Sequence, residues 1–182
     1  MTIETYRLIA QLKKRTEVLI KEAEALKECS IEQLNCKSSS ESWSALECIE
    51  HLNLYGDYYN PEIAERIKRS KFSTDRVFKS GIIGNYFTKS MLPKKNLNKM
   101  KTFKDKNPTG RMLSPNTIDR FISQQTEFLK LLDQSKSVSL SKTKTAISIS
   151  RFIKLKLGDT FKFIVAHNER HLVQAKTAID KP

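Results

Sequence analysis

Glycine and proline are scarce in this chain, five of each in 182 residues. That is too few for the tight turns of a fold built from many short strands. Cysteine is scarcer: Cys29, Cys36 and Cys48 form an odd, sparse set that suits a reducing compartment. No run of about 18 apolar residues occurs, which argues against a membrane span. The start, MTIETYRLIAQLKKRTE, has charges on both sides of a short apolar stretch and no small-residue cleavage site. It therefore does not read as a signal peptide, and a cytoplasmic location is expected. Acids are outnumbered, 20 against 33 Lys and Arg, for a net charge of +13. Histidine occurs only three times.

What is present points to helices. A hydrophobic fraction of 38% with 29% charged residues favours helices with one buried stripe over a sheet buried on both faces. From about Ile3 to Lys27, Tyr6, Ile9, Leu12, Leu19, Ala23 and Leu26 recur at steps of three and four, with a gap at Thr16. This predicts a first long helix with Thr2 as N-cap. Ser44 stands three residues before Glu47, the capping-box spacing, with Trp43 as a possible staple. A second helix should begin there, bury Leu46, Ile49 and Leu52, and kink or break near Pro61. Ser114-Pro115 predicts an N-cap followed by proline at the first position of a third helix. That helix would carry Ile118, Phe121, Ile122, Gln125, Phe128, Leu129 and Leu132 inward. After an extended, β-branched connection, SKSVSLSKTKTAISIS, Gly158-Asp159 opens a fourth helix with Phe161, Ile164, Val165, Leu172, Val173 and Ala175 on its apolar stripe. The expected fold is all-α: one domain over residues 1–182, a four-helix bundle with a long basic crossover between helices 2 and 3.

That crossover carries much of the charge. Residues 62–106 hold thirteen Lys or Arg against four acids, a local +9 that draws anions as well as keeping the chain soluble. With Phe72, Phe78, Tyr86, Phe87 and Phe103 interleaved, the segment also fits a groove that stacks single-stranded nucleic acid. However, no helix-turn-helix, zinc-finger or RNP signature accompanies it.

The histidines carry the chemistry. His167 and His171 are spaced i, i+4, so they point the same way from adjacent helical turns and can share one cation. Asn168 stands where the zincin motif needs glutamate, and spacing alone also fits two solvent-facing histidines. His51 lies on the face of the second helix that must enter the bundle, and bundle cores build metal sites from facing helices.

The stretches WSALECIEHL and LGDTFKFIVAHNERHLVQAK, with MKTFKDKNPTG between them, resemble the signature segments of the DinB-like (YfiT-like) superfamily, in order and across nearly the whole chain. The resemblance implies a bundle in up-down-down-up order. It also implies one divalent metal ion, zinc or nickel, held by His51, His167 and His171. The activities it implies are thiol-dependent S-transfer, as with bacillithiol or mycothiol, and metal-dependent hydrolysis.

Three imidazoles leave coordination positions open, which is a catalytic arrangement. Around them, Gln174 can orient a water or substrate, Glu47 can accept the second ring N–H of His51, and Cys48 can reach the site as a fourth ligand. For Glu47 the cap, and for Cys48 simple burial, are the preferred alternatives. Lys94, Lys95 and Lys99 are expected to flank the opening and attract an anionic small-molecule substrate. No Asp or Glu is placed to act as general base, which favours S-transfer with a low-molecular-weight thiol over hydrolysis. A nucleic-acid binder and a non-catalytic stress-response protein are the competing classes. The oligomeric state stays open, a homodimer among the options.

Overall fold

The computed structural model describes residues 2–93, 102–148 and 150–180. It is mostly helical. Four long helices, α1 (Thr5–Leu26), α3 (Ala45–Lys68), α5 (Asn116–Gln134) and α6 (Leu157–Asp180), pack around a common core. Two shorter helices, α2 (Ile31–Asn35) and α4 (Ile82–Met91), and two two-stranded antiparallel sheets are added to them. Among the described residues no helix is long and apolar enough to cross a membrane.

The helix starts show how far local sequence decides. At α3 the expected box forms: Glu47 N–H donates to Ser44 Oγ at 3.2 Å and Ser44 N–H to Glu47 Oε2 at 3.0 Å. At α1 it does not. Thr2–Glu4 is a strand, β1, paired with β2 (Val77–Lys79), and the helix begins at Thr5, whose N–H donates to the Arg76 carbonyl at 3.0 Å. A carbonyl more than seventy residues away satisfies the orphan donor that Thr2 was expected to cap. At α5 the first turn closes with Thr117 N–H on the Ser114 carbonyl and Ile118 N–H on the Pro115 carbonyl, so Ser114 contributes backbone. α3 runs through Pro61 without a break.

The predicted stripes form most of the core: Leu12, Leu19 and Ala23 of α1, Leu46, Ile49 and Ile63 of α3, Phe121 and Phe128 of α5, and Phe161, Val165 and Leu172 of α6 are all buried. Two assignments differ. Tyr6 is 63% exposed and Leu8 is buried instead, while Val173 is 40% exposed. The gap at Thr16 is buried too, its hydroxyl donating to the Leu12 carbonyl at 2.9 Å. That bond lets a polar side chain sit in an apolar stripe.

Cross-helix pairs relate the long helices. Lys13 of α1 and Lys27 at its C-terminal end meet Asp133 and Asp119 of α5, so α1 and α5 run oppositely. Asn53 and Asn60 of α3 reach the Thr117 and Gln124 carbonyls, so α3 and α5 run together. Arg15 and Glu22 of α1 pair with Glu169 and Lys176 of α6.

The crossover and the last connection are more structured than expected. The crossover contains β2 and α4, and α4 packs on α6. Gly84 makes that approach possible: a Cβ there would lie 2.4 Å from Asp159 Cβ. Asp159 Oδ2 accepts the Gly81 N–H at 2.8 Å, capping α4 from the neighbouring helix. The connection before α6 is a hairpin of β3 (Lys144–Ile147) and β4 (Ser150–Lys156).

Candidate metal centre

α3 and α6 face each other, and each brings its histidines to the same depth. His51, His167 and His171 are 3%, 3% and 9% exposed, and one ligand nitrogen from each lies within 4.8 Å of the other two. The Nε2 atoms of His51 and His167 are 3.2 Å apart.

Two contacts set which nitrogen of each ring carries the proton. His51 Nδ1 lies 2.7 Å from the Lys106 carbonyl. A carbonyl only accepts, so Nδ1 is the donor and Nε2 keeps its lone pair. His171 Nδ1–H donates to Gln174 Oε1 at 2.9 Å, which frees the other nitrogen of that ring in the same way. Burial pushes the His51 imidazolium down to about 4, the Lys106 charge adding to the effect against the favourable carbonyl bond. His167 and His171 are held well below the ordinary histidine range, first by burial and then by the positive charge each would feel from neighbouring histidines and Arg170. At neutral pH all three rings are therefore uncharged, the state in which imidazole binds metal.

The donor set fits a borderline divalent cation. Two nitrogens bound at about 2.0–2.1 Å to one tetrahedral ion lie roughly 3.3 Å apart, close to the 3.2 Å between the Nε2 atoms of His51 and His167. Among the described residues, no carboxylate or thiol joins the group.

Other predicted residues take different places. The Glu47 carboxylate is engaged by Ser44 N–H and by Lys37 Nζ at 2.7 Å, and the acceptor for His51 is the Lys106 carbonyl. Cys48 is fully buried in the hydrophobic core, where burial raises its thiol far above the ordinary range, and it is not among the side chains whose ligand atoms converge. Gln174 holds the His171 ring. Beside the histidines on α6, Glu169 makes a two-pronged pair with Arg15 and Arg170 is buried. Lys94, Lys95 and Lys99 lie outside the described residues.

Three aromatic side chains surround the histidines. The ring of Trp43 lies 4.8 Å from His51 and 5.9 Å from His171, and its indole N–H donates to Thr109 Oγ1. Tyr55 sits 5.0 Å from His51 and 4.5 Å from His167, and Phe163 stacks on His167 at 5.6 Å. Lys106 and Thr109 both belong to the MKTFKDKNPTG stretch, so the crossover docks on the site through a backbone carbonyl that meets His51 and a hydroxyl that accepts from Trp43. A main-chain acceptor leaves no side-chain signal, though the distinctive motif marked where to look.

Compared with known protein families, residues 11–175 match the family model described as the DinB superfamily. No curated protein and no solved structure matches the chain.

Proposed function

The chain belongs to the DinB superfamily, and on that premise we propose that it is a metal-dependent enzyme whose divalent cation, zinc or nickel, is held by His51, His167 and His171. The observation that carries this is the convergence of three buried, uncharged imidazoles within 4.8 Å. We read the helix directions as the up-down-down-up order, with residues 69–115 as the crossover between the parallel pair α3 and α5. This places His51 opposite the α6 pair, as the cross-helix contacts support.

When bound, the cation would act as a Lewis acid that lets a thiol or water lose its proton near neutral pH. The chain's own residues hold and shield that place. The Lys106 carbonyl and Gln174 fix the ring orientations of His51 and His171, while Trp43, Tyr55 and Phe163 wall the rings from bulk water.

The reaction proposed is S-transfer from a low-molecular-weight thiol to a small electrophile. Sulfur forms the new bond to carbon with the pair left by its proton, the leaving group departs with its own bonding pair, and the proton goes to solvent. Hydrolysis ordinarily wants a carboxylate to take a proton from the attacking water, and among the described residues none joins the three rings. Nucleic-acid binding through the crossover is less well supported. Phe78 is buried and Phe87 packs on Phe163, so neither is presented for base stacking.

Metal-loaded and chelator-treated protein, incubated with a thiol and an electrophile such as an alkyl halide, should differ in thiol consumption. Consumption confined to the loaded protein supports S-transfer. Ester or amide cleavage without thiol, also metal-dependent, would make hydrolysis the better assignment.

A further inference from the structure

A cavity of about 210 Å³ adjoins the histidine cluster. Tyr55 of α3 and Phe163 of α6 form the wall nearest the histidines, Phe87 and Met91 of α4 another, and Ile147 and Leu155 of the hairpin close it. Two of these side chains also touch the site: Tyr55 lies 4.5 Å from His167 between ring centres, and Phe163 stacks on the same ring.

Among the described residues, no lining side chain is a Lys, Arg, His, Asp or Glu. A described cation on this side is Lys106, whose Nζ lies 5.9 Å from the centre of the Tyr55 ring. An anion placed in this cavity would lose hydration and meet no charged lining side chain among the described residues. An apolar group loses nothing. A dry apolar cavity of about 150 Å³ is enough to take benzene, so this one has room for an aromatic ring with a short alkyl chain.

We propose that this cavity binds the aryl or short-alkyl part of the enzyme's small-molecule substrate, beside the histidine cluster and on the far side of the Tyr55 and Phe163 rings. Calling the occupant a substrate rests on the metal-enzyme reading above; the cavity and its preference do not. α4 and the β3–β4 hairpin, the additions to the four long helices, supply the outer walls and so determine which apolar group fits. Any charged part of the substrate must point away from these walls.

The test uses n-butylbenzene as probe and benzenesulfonate as the charged control, titrated into metal-free full-length protein and followed by NMR. Butylbenzene should bind saturably, give intermolecular NOEs to the Tyr55 and Phe163 rings, and bind at least tenfold more tightly than benzenesulfonate. Ser90→Trp, which adds bulk at the cavity wall, should weaken it at least tenfold. Phe87→Ala, which enlarges the cavity, should shift preference toward n-hexylbenzene, and this second variant decides the matter if Ser90→Trp fails to fold. Absence of saturable binding, NOEs confined to other residues, or equal affinity for benzenesulfonate would overturn the proposal. Metal content measured on the same preparations separates the two readings. Metal uptake without these NOEs overturns the cavity proposal alone, and NOEs without metal uptake overturn the metal reading alone.

Discussion

Glu50 and His51 are consecutive on α3 and almost equally buried, at 5% and 3% exposure, yet they meet burial in opposite ways. One residue along a helix turns a side chain by about 100°. Glu50 therefore faces α5 and the crossover, where Arg111 Nη1 donates to it at 2.9 Å, Arg120 Nη1 at 3.2 Å and Asn53 Nδ2 at 3.3 Å. The two arginines remain 45% and 42% exposed, so the ion pairs reach water on one side. His51 faces α6, meets two more histidines and no carboxylate, and gives up its proton instead. Pairing spends the carboxylate's acceptor capacity inside the protein, whereas deprotonation leaves an imidazole lone pair turned toward the neighbouring histidine. The same helix thus supplies a structural tie and a ligand side by side.

Acid should break this contrast most severely. The folded His51 pKa of about 4 lies below the ordinary 6.5, so the unfolded chain binds more protons between those values. Stability of metal-free protein is fully present above pH 6.5 and falls as pH drops toward 4. The loss from His51 alone is on the order of 3 kcal/mol. Denaturant unfolding at a series of pH values measures it, and a flat profile across that window would mean the rings are not buried neutral.

Glu50→Ala tests the other side. It strands Arg111 near a buried position and leaves Arg120 only its pair with Asp57. Breaking a fully buried pair costs about 3–5 kcal/mol, but the half-exposed arginines reduce the expected loss to about 2 kcal/mol. Thermal unfolding should show a Tm lower by roughly 4–8 °C at this chain length, with metal stoichiometry unchanged. Loss of metal in this variant would show that the two neighbours are not independent.

Gln174→Ala sharpens the comparison with the smallest effect. It removes the acceptor for His171 Nδ1–H while leaving all three ligands. Outer partners of metal-bound histidines are worth about 10–100-fold in affinity, and a half-exposed glutamine belongs at about tenfold. Competition with a chelating dye reads the change; unaltered affinity would assign Gln174 to the surface.

Much of this was legible in the chain. Ser44 and Glu47 announce the start of α3 because a capping box is local. The His167–His171 spacing places both rings on one side of α6 because helical periodicity is local too. What could not be read depends on distant partners. Thr2–Glu4 became a strand because Val77–Lys79 lies beside it. The helix α4 was hidden in a basic stretch because Gly84 packs against Asp159, a residue 75 positions later that also caps it. The acceptor for His51 was sought among acids, and a main-chain carbonyl of Lys106 fills that place. Trp43 was read as a staple, yet its ring rests on two of the histidines.

The central claim is that His51, His167 and His171 together hold one divalent cation. Elemental mass spectrometry of purified protein against the single His51→Ala and His167→Ala variants and the triple-alanine variant tests it most directly, because a three-ligand site loses its chelate geometry with any one ligand. The account predicts about one zinc or nickel per wild-type chain and a stoichiometry near zero in every variant that remains folded. A folded triple-alanine variant that retains the wild-type metal content would contradict it.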